Sequence, residues 1–192
     1  EDFKTVIDKV PLTTRIDFSG YTEPFLNKDC AKMIKYVHDR GHTVSVYTTL
    51  VGAKKSDIDL LIEICKHPTR PFSAFDQENP LCIHLPDEGG VMPVKITPKY
   101  KNVLKYLLSE AQKNNLGVGS HIRFMTMDKK GLLSKEILDV FPTNQIPFEF
   151  KAISRASNLN DTEVMKQAPS MTNYEGGVCL LYTSDAADDE ER

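Results

Sequence analysis

Ile16-Asp-Phe-Ser-Gly-Tyr-Thr-Glu-Pro-Phe-Leu-Asn27 is an apolar strand that runs into a glycine turn, with one carboxylate, Glu23, just past the strand's end. Pro24 stiffens the exit, and Asn27 is placed to cap the amphipathic helix that follows. A strand closed by a small-residue turn and reopened as a helix is the first half of a β/α unit. In α/β barrels such strand ends are where ligands are held, so Glu23 becomes the first candidate for binding.

The same alternation continues along the chain. Asn27 to Arg40 places Cys30, Met33, Ile34 and Val37 on one helical stripe, and Gly41 follows as a stop. Thr43 to Thr49 is β-branched and aromatic, the composition of a buried strand. Ser56 is positioned to cap a helix with Ile58, Leu61, Ile62 and Cys65 inward, and Pro68 stops it. Leu81 to Leu85 predicts another strand, with Pro86-Asp87-Glu88-Gly89-Gly90 as the loop at its end. Thr97-Pro98 is a cap with proline at the first helical position. The helix after it buries Tyr100, Val103, Leu104, Leu107, Leu108 and Ala111. Val118 to Met127 and Pro147 to Ile153 read as strands, Ser134 to Phe141 as a short helix, and Glu1 to Val10 as a helix ended by Pro11.

Repeated strand–helix units argue for a parallel sheet with helices outside. Right-handed crossovers then leave an open doubly wound sheet or an incomplete β/α barrel. In both, the carboxyl ends of the strands line the ligand site. Those ends are Gly20, Tyr21, Thr22 and Glu23; Thr48, Thr49, Leu50, Val51 and Gly52; His84, Leu85, Pro86 and Asp87; Thr126, Met127 and Asp128; and Ser154 and Arg155. Hydroxyls, carboxylates and one guanidinium suit a small zwitterionic or sugar-bearing ligand.

Composition narrows the class. At 192 residues, 40% hydrophobic and 27% charged, the chain is an ordinary globular domain by size and make-up. No apolar run is long enough to span a bilayer, and the N-terminus lacks a signal-peptide layout, so no membrane partner and a cytoplasmic location are expected. A formal charge of −3, without a basic stripe carrying interleaved aromatics, gives no reason to expect nucleic acid. The segment 179–192 has no periodicity that fits the preceding chain and resembles a translated sequencing adapter. It carries five acids and one base, so the charge becomes +1 without it. Cys30, Cys65 and Cys82 then remain, widely spaced in apolar contexts, the pattern of buried thiols rather than of a disulfide framework or zinc knuckle.

The motifs, taken in order, resemble the radical S-adenosylmethionine enzymes. Phe18-Ser-Gly-Tyr-Thr-Glu-Pro24 is similar to that family's second-strand motif, Gly-Gly-Glu-like, which contacts the amino group of the S-adenosylmethionine methionyl moiety. Gly41-His42-Thr43-Val44 is similar to the lead-in of the third strand. Tyr47-Thr48-Thr49-Leu50-Val51-Gly52 stands where a Thr-Asn-Gly ending is common, and Ile153-Ser154-Arg155-Ala156-Ser157-Asn158-Leu159 resembles the segment that closes the core. The resemblance implies a partial TIM-like barrel over residues 1–160, the start of a C-terminal extension at 161–178, and a disordered tail at 179–192. It also implies S-adenosylmethionine as cosubstrate, a [4Fe–4S] cluster, a reductase or flavodoxin-type electron donor, and hydrogen abstraction from an unknown substrate, with a peptide or protein suggested. Gly20, Tyr21, Thr22 and Glu23 would hold the methionyl end. Thr48, Thr49, His84 and Asp87 would contact ribose, carboxylate or substrate, and Arg155 would pair a carboxylate.

One departure is large. The family's Cys-x3-Cys-x2-Cys triplet, which holds the cluster, is absent here, and the resemblance places it upstream of Glu1. The expectation is a fragment that cannot hold a cluster itself and lacks its first strand and C-terminal extension. Two other functions compete. A barrel that binds a nucleotide or peptide without redox chemistry is favoured by the missing cysteines. A metal-dependent hydrolase using His84, Asp87 and Asp128 lacks any paired ligand spacing. Among single residues, Glu23 alone would pass for a solvated carboxylate near a helix start, His84 for a hydrogen-bonded core histidine, and Arg155 for a surface ion pair.

Overall fold

A computed structural model describes residues 2–19, 22–67, 81–90, 94–116, 122–126, 133–141 and 149–150. Helix α1 (Phe3–Ile7) leads to strand β1 (Ile16–Phe18), and a 3-10 turn (Pro24–Leu26) leads to α2 (Cys30–Asp39) and β2 (Val44–Thr48). Then come α3 (Lys55–Lys66), β3 (Leu81–His84), α4 (Pro98–Lys113), β4 (Ile122–Thr126), α5 (Lys135–Leu138) and β5 (Glu149–Phe150). The strands form one five-stranded sheet in the order β1-β2-β3-β4-β5, and every pairing is parallel. This is an α/β fold.

Spatial order follows chain order, so the described strands contain no reversal of the kind that makes a sheet doubly wound. Each crossover carries a helix, and right-handed crossovers in an unreversed sheet put α2, α3 and α4 on the same face. Their packing agrees, with α3 seated between α2 and α4.

Strand alternation then separates two faces. Val44, Val46, Leu81, Ile83, Ile122 and Phe124 belong to one core with Ile34 and Val37 of α2, Ile58 and Leu61 of α3, and Leu104 and Leu107 of α4. The intervening positions are Ser45, Tyr47, Cys82, His84, Arg123 and Met125, which lie on the face away from these helices. On β1 that face also carries Asp17, bound in a bidentate pair by Arg15, whose Nε and Nη2 each donate to one carboxylate oxygen at 2.7 Å. One face of the sheet is therefore aliphatic and the other largely polar.

The long elements fall where the apolar periodicity puts them, with ends trimmed by several residues. Two caps differ from expectation. Asn27 does not cap α2: it closes the 3-10 turn, its Oδ1 accepts from the Asp29 N–H at 3.0 Å, and Asp29 is the N-cap residue. Ser56 lies inside α3, whose N-cap is Lys54; the Asp57 carboxylate accepts from the Lys54 N–H at 2.8 Å. A proline just after Glu23 and a carboxylate one residue beyond Ser56 moved the start signals. Thr97 does cap α4, its Oγ1 accepting from the Tyr100 N–H at 3.1 Å.

Gly20, Tyr21, Asp128 and Arg155, together with the segments 161–178 and 179–192, lie outside the described residues. Among the described residues no helix is long and apolar enough to cross a membrane.

Two glycines in left-handed conformation separate conformational from steric need. Gly41 has φ +93° with nothing within 4 Å of a built Cβ, whereas Gly52 has φ +87° and its Cβ would lie 2.6 Å from the Phe25 carbonyl oxygen. Gly41→Ala should cost about 1 kcal/mol, the left-handed penalty alone. Gly52→Ala should cost roughly 2–4 kcal/mol because overpacking adds to that penalty. Urea unfolding of both variants measures the difference, and equal losses would refute the close approach.

Candidate functional site

Glu23 sits in extended conformation ahead of the 3-10 turn, where Pro24 occupies the first turn position and the Phe25 N–H points back at the side chain. Its Oε1 accepts from that N–H at 3.2 Å and from the Thr48 hydroxyl. Its Oε2 accepts from the Thr49 N–H at 2.7 Å and the Thr49 hydroxyl at 2.6 Å. A carboxylate has about four lone-pair sites, and four donors from two chain segments meet them. Three come from the end of β2, so Glu23 fastens the exit of β1 to the exit of β2.

The β2 exit is built to present those donors. Thr48 Oγ1 accepts from the Leu50 N–H at 2.8 Å, and Thr49 Oγ1 accepts from the Val51 N–H at 3.4 Å. Each hydroxyl thus receives one hydrogen bond from the turn and gives one to Glu23. Leu50, with its side chain buried, carries φ +64°. This conformation is uncommon outside glycine and is held only where surrounding contacts over-determine it.

The structure brings together part of the expected set. Glu23, Thr48 and Thr49 converge on one another. Thr22 is exposed beside them. His84 is close in the sheet, since Thr48 pairs with Ile83 and neighbouring strands lie about 4.8 Å apart. Alternation, however, puts Thr48 on the helix side with Val46 and puts His84 on the polar side with Cys82. Asp87 is 5% exposed and makes an isolated antiparallel bridge with Leu133, so it belongs to the β3 exit and the approach to α5. Glu23, Thr48 and Thr49 form one hydrogen-bonded cluster, and His84 is on the opposite face of the sheet from Thr48.

In the sequence Tyr100 is marked only as part of a buried stripe. It is 5% exposed, and its hydroxyl has no hydrogen-bond partner among the described residues. Burial first, and then the charge of Glu23, push its pKa above the usual tyrosine range, which keeps it a protonated donor. A tyrosine in an otherwise aliphatic stripe was the available signal.

Cysteine chemistry is quiet. Burial, then the charges of Glu23 and Asp57, push the Cys30 thiol from 9.0 up to about 12. Burial, with Cys82 adding to it, takes Cys65 to about 12 as well. A thiol held protonated is a poor nucleophile. Among the described residues no group of three or more His, Cys, Asp or Glu side chains could hold a metal ion.

No family model matches the chain, and no curated protein or solved structure compared with it matches either.

Glu23→Ala should destabilise the protein by about 2–4 kcal/mol, because four donors lose their acceptor at once. Denaturant titration reads this directly, and a loss within error would mean that the fastening is not formed in solution. The raised thiol pKa values also fix a pH dependence. The unfolded chain releases these protons near pH 9 and the folded chain near pH 12. Their contribution is therefore complete below pH 9 and is lost as pH rises towards 12. The urea midpoint should fall across that interval, and a flat profile would contradict the burial of these groups.

Proposed function

We propose that this chain is the ligand-binding part of a radical S-adenosylmethionine enzyme core, an incomplete parallel β/α barrel whose strand ends hold the cosubstrate. The observation that carries the reading is the convergence of Glu23 with Thr48 and Thr49 at adjacent strand exits. The unreversed parallel order and the polar face opposite the helices support it. A sheet covered by helices on both faces reads as nearly continuous apolar strands, whereas a barrel lining can be polar.

The donor set suits the methionyl end of the cosubstrate. An ammonium needs an anionic acceptor, and Glu23 supplies one held by two backbone N–H groups that cannot turn away, those of Phe25 and Thr49. The Thr48 and Thr49 hydroxyls can turn. When an ammonium approaches, each releases a lone pair of Glu23 and keeps its own bond from Leu50 or Val51. Binding then exchanges two neutral donors for a cation, and the carboxylate gains an ion pair in a part-buried site, where opposite charges attract more strongly than in bulk water.

The iron–sulfur cluster is a different case. Cys30, Cys65 and Cys82 are each buried, and the described residues offer no ligand group for it. The chemistry that S-adenosylmethionine supplies when bound and reduced is hydrogen abstraction. The residues of this chain bind and orient its amino-acid end. The same observations also suit a non-catalytic domain that binds a nucleotide or peptide ligand, the second reading.

Calorimetric titration tests the proposal. S-adenosylmethionine should bind the 192-residue chain, and an analogue lacking the α-amino group should bind at least about 10-fold more weakly, since a hydrogen bond to a charged group contributes about 1.5–3 kcal/mol. Absence of binding at millimolar cosubstrate, or indifference to the amino group, would sink it.

A further inference from the structure

Among the described residues, the buried Tyr100 hydroxyl is a polar group on the helix side near this cluster that makes no hydrogen bond. Buried hydroxyls are nearly always hydrogen-bonded, and an exception in a native fold calls for a reason. The Tyr100 hydroxyl is such an exception among the described residues. Its ring belongs to the helix-side core, the side of the sheet to which Thr48 also belongs.

Its height in the fold can be worked out. Tyr106 of α4 donates to Asp59 at 2.7 Å and lies under the Lys55 ammonium, 4.9 Å from the ring centre. Tyr106 is therefore level with the first turns of α3. Tyr100 stands six residues earlier on α4, about 9 Å closer to the strand-end rim at 1.5 Å per residue. That places it at the level of the 48–54 segment, which precedes α3 and carries Thr48 and Thr49. The influence of Glu23 on the Tyr100 hydroxyl agrees with this placement. The acceptor sites of Glu23 are already occupied by four other donors, so the nearby carboxylate does not satisfy the phenol.

We propose that Tyr100 is a second recognition residue of this site and that its hydroxyl donates to the carboxylate of the zwitterionic ligand whose ammonium sits on Glu23. The inference rests on the reading of the site as one for an amino-acid end. An anionic acceptor beside a neutral donor matches an ammonium and a carboxylate on one carbon. Because the hydroxyl is shut off from bulk solvent, a carboxylate that reaches it competes with little water, and the bond is correspondingly strong.

The test uses Tyr100→Phe, which removes only the oxygen, with two probes: S-adenosylmethionine and its decarboxylated analogue. The variant should bind S-adenosylmethionine about 10-fold or more weakly than wild type, the loss typical of a hydrogen bond to a charged group. Both proteins should bind the decarboxylated analogue equally. Without ligand, the variant's melting temperature should be unchanged or raised, because a buried hydroxyl without a partner has been removed. A fall of about 3 °C or more would show that the hydroxyl serves the fold and would overturn the proposal. So would equal binding of S-adenosylmethionine by variant and wild type, or an equal loss for both probes. If wild type binds neither probe, the functional reading fails and this inference fails with it. If wild type binds and only the Tyr100→Phe comparison is flat, the inference fails alone.

Discussion

The Glu23 carboxylate gathers four hydrogen-bond donors from two segments, the 3-10 turn and the β2 exit, that lie beyond the end of the β1–β2 ladder. That ladder is short, because β1 contributes three residues. A three-residue parallel pairing does little to fix the loops beyond it. The carboxylate does so by holding the 3-10 turn against the β2 exit. The contact between Gly52 and the Phe25 carbonyl is the steric counterpart: the two segments approach so closely that no side chain fits between them. The left-handed Leu50 depends on the same arrangement, since its N–H is held by Thr48, and Thr48 is held by Glu23. Strain at a buried leucine survives because a charged acceptor one link away supports the turn.

Above that fastening, the fold sorts residues by face. Helices α2, α3 and α4 cover aliphatic positions of the sheet, and the opposite positions include Ser45, Tyr47, His84 and Arg123. Ser45 and His84 are buried on that face and Tyr47 and Arg123 half-buried, and the desolvation of such groups is offset by hydrogen bonds. The described strands keep chain order, and the face away from α2, α3 and α4 carries the more polar side chains of the sheet. The Arg15–Asp17 pair shows how part of that polarity is met inside the protein itself.

Much of this was legible in the sequence, for physical reasons that can be named. Strands β2 and β3 and helices α3 and α4 have strong apolar periodicity between clear breakers, and they formed where that pattern put them. Asn27 and Ser56 misled because a cap depends on which residue first turns its backbone out of the helix, and a neighbouring proline or carboxylate can move that point. The choice between doubly wound and unreversed order was not readable, since both share the same local alternation. Glu23, Thr48 and Thr49 could be named as strand-end residues, but their mutual bonding depends on the register Ile16 to Val44, which no local signal carries. Leu50 gave no sign of its conformation, because leucine at positive φ is chosen by tertiary contacts. Tyr100 looked like one more core residue; only its surroundings distinguish a satisfied phenol from an unsatisfied one.

The fastening and the proposed ligand contact use the same carboxylate, and at first sight they compete. They need not, because the four donors differ in kind. The Phe25 and Thr49 N–H groups are part of the backbone and stay in place once the turn is formed. The two threonine hydroxyls are rotors, and each has a second bond, received from Leu50 or Val51, that does not depend on where its own proton points. A ligand can therefore take over the rotor half of the set while the fixed half keeps the loops together. Two threonines in succession at the β2 exit achieve this, whereas two further backbone donors would lock the carboxylate out of use. A structural acceptor and a binding group can then be one residue, provided that half its partners are able to turn away.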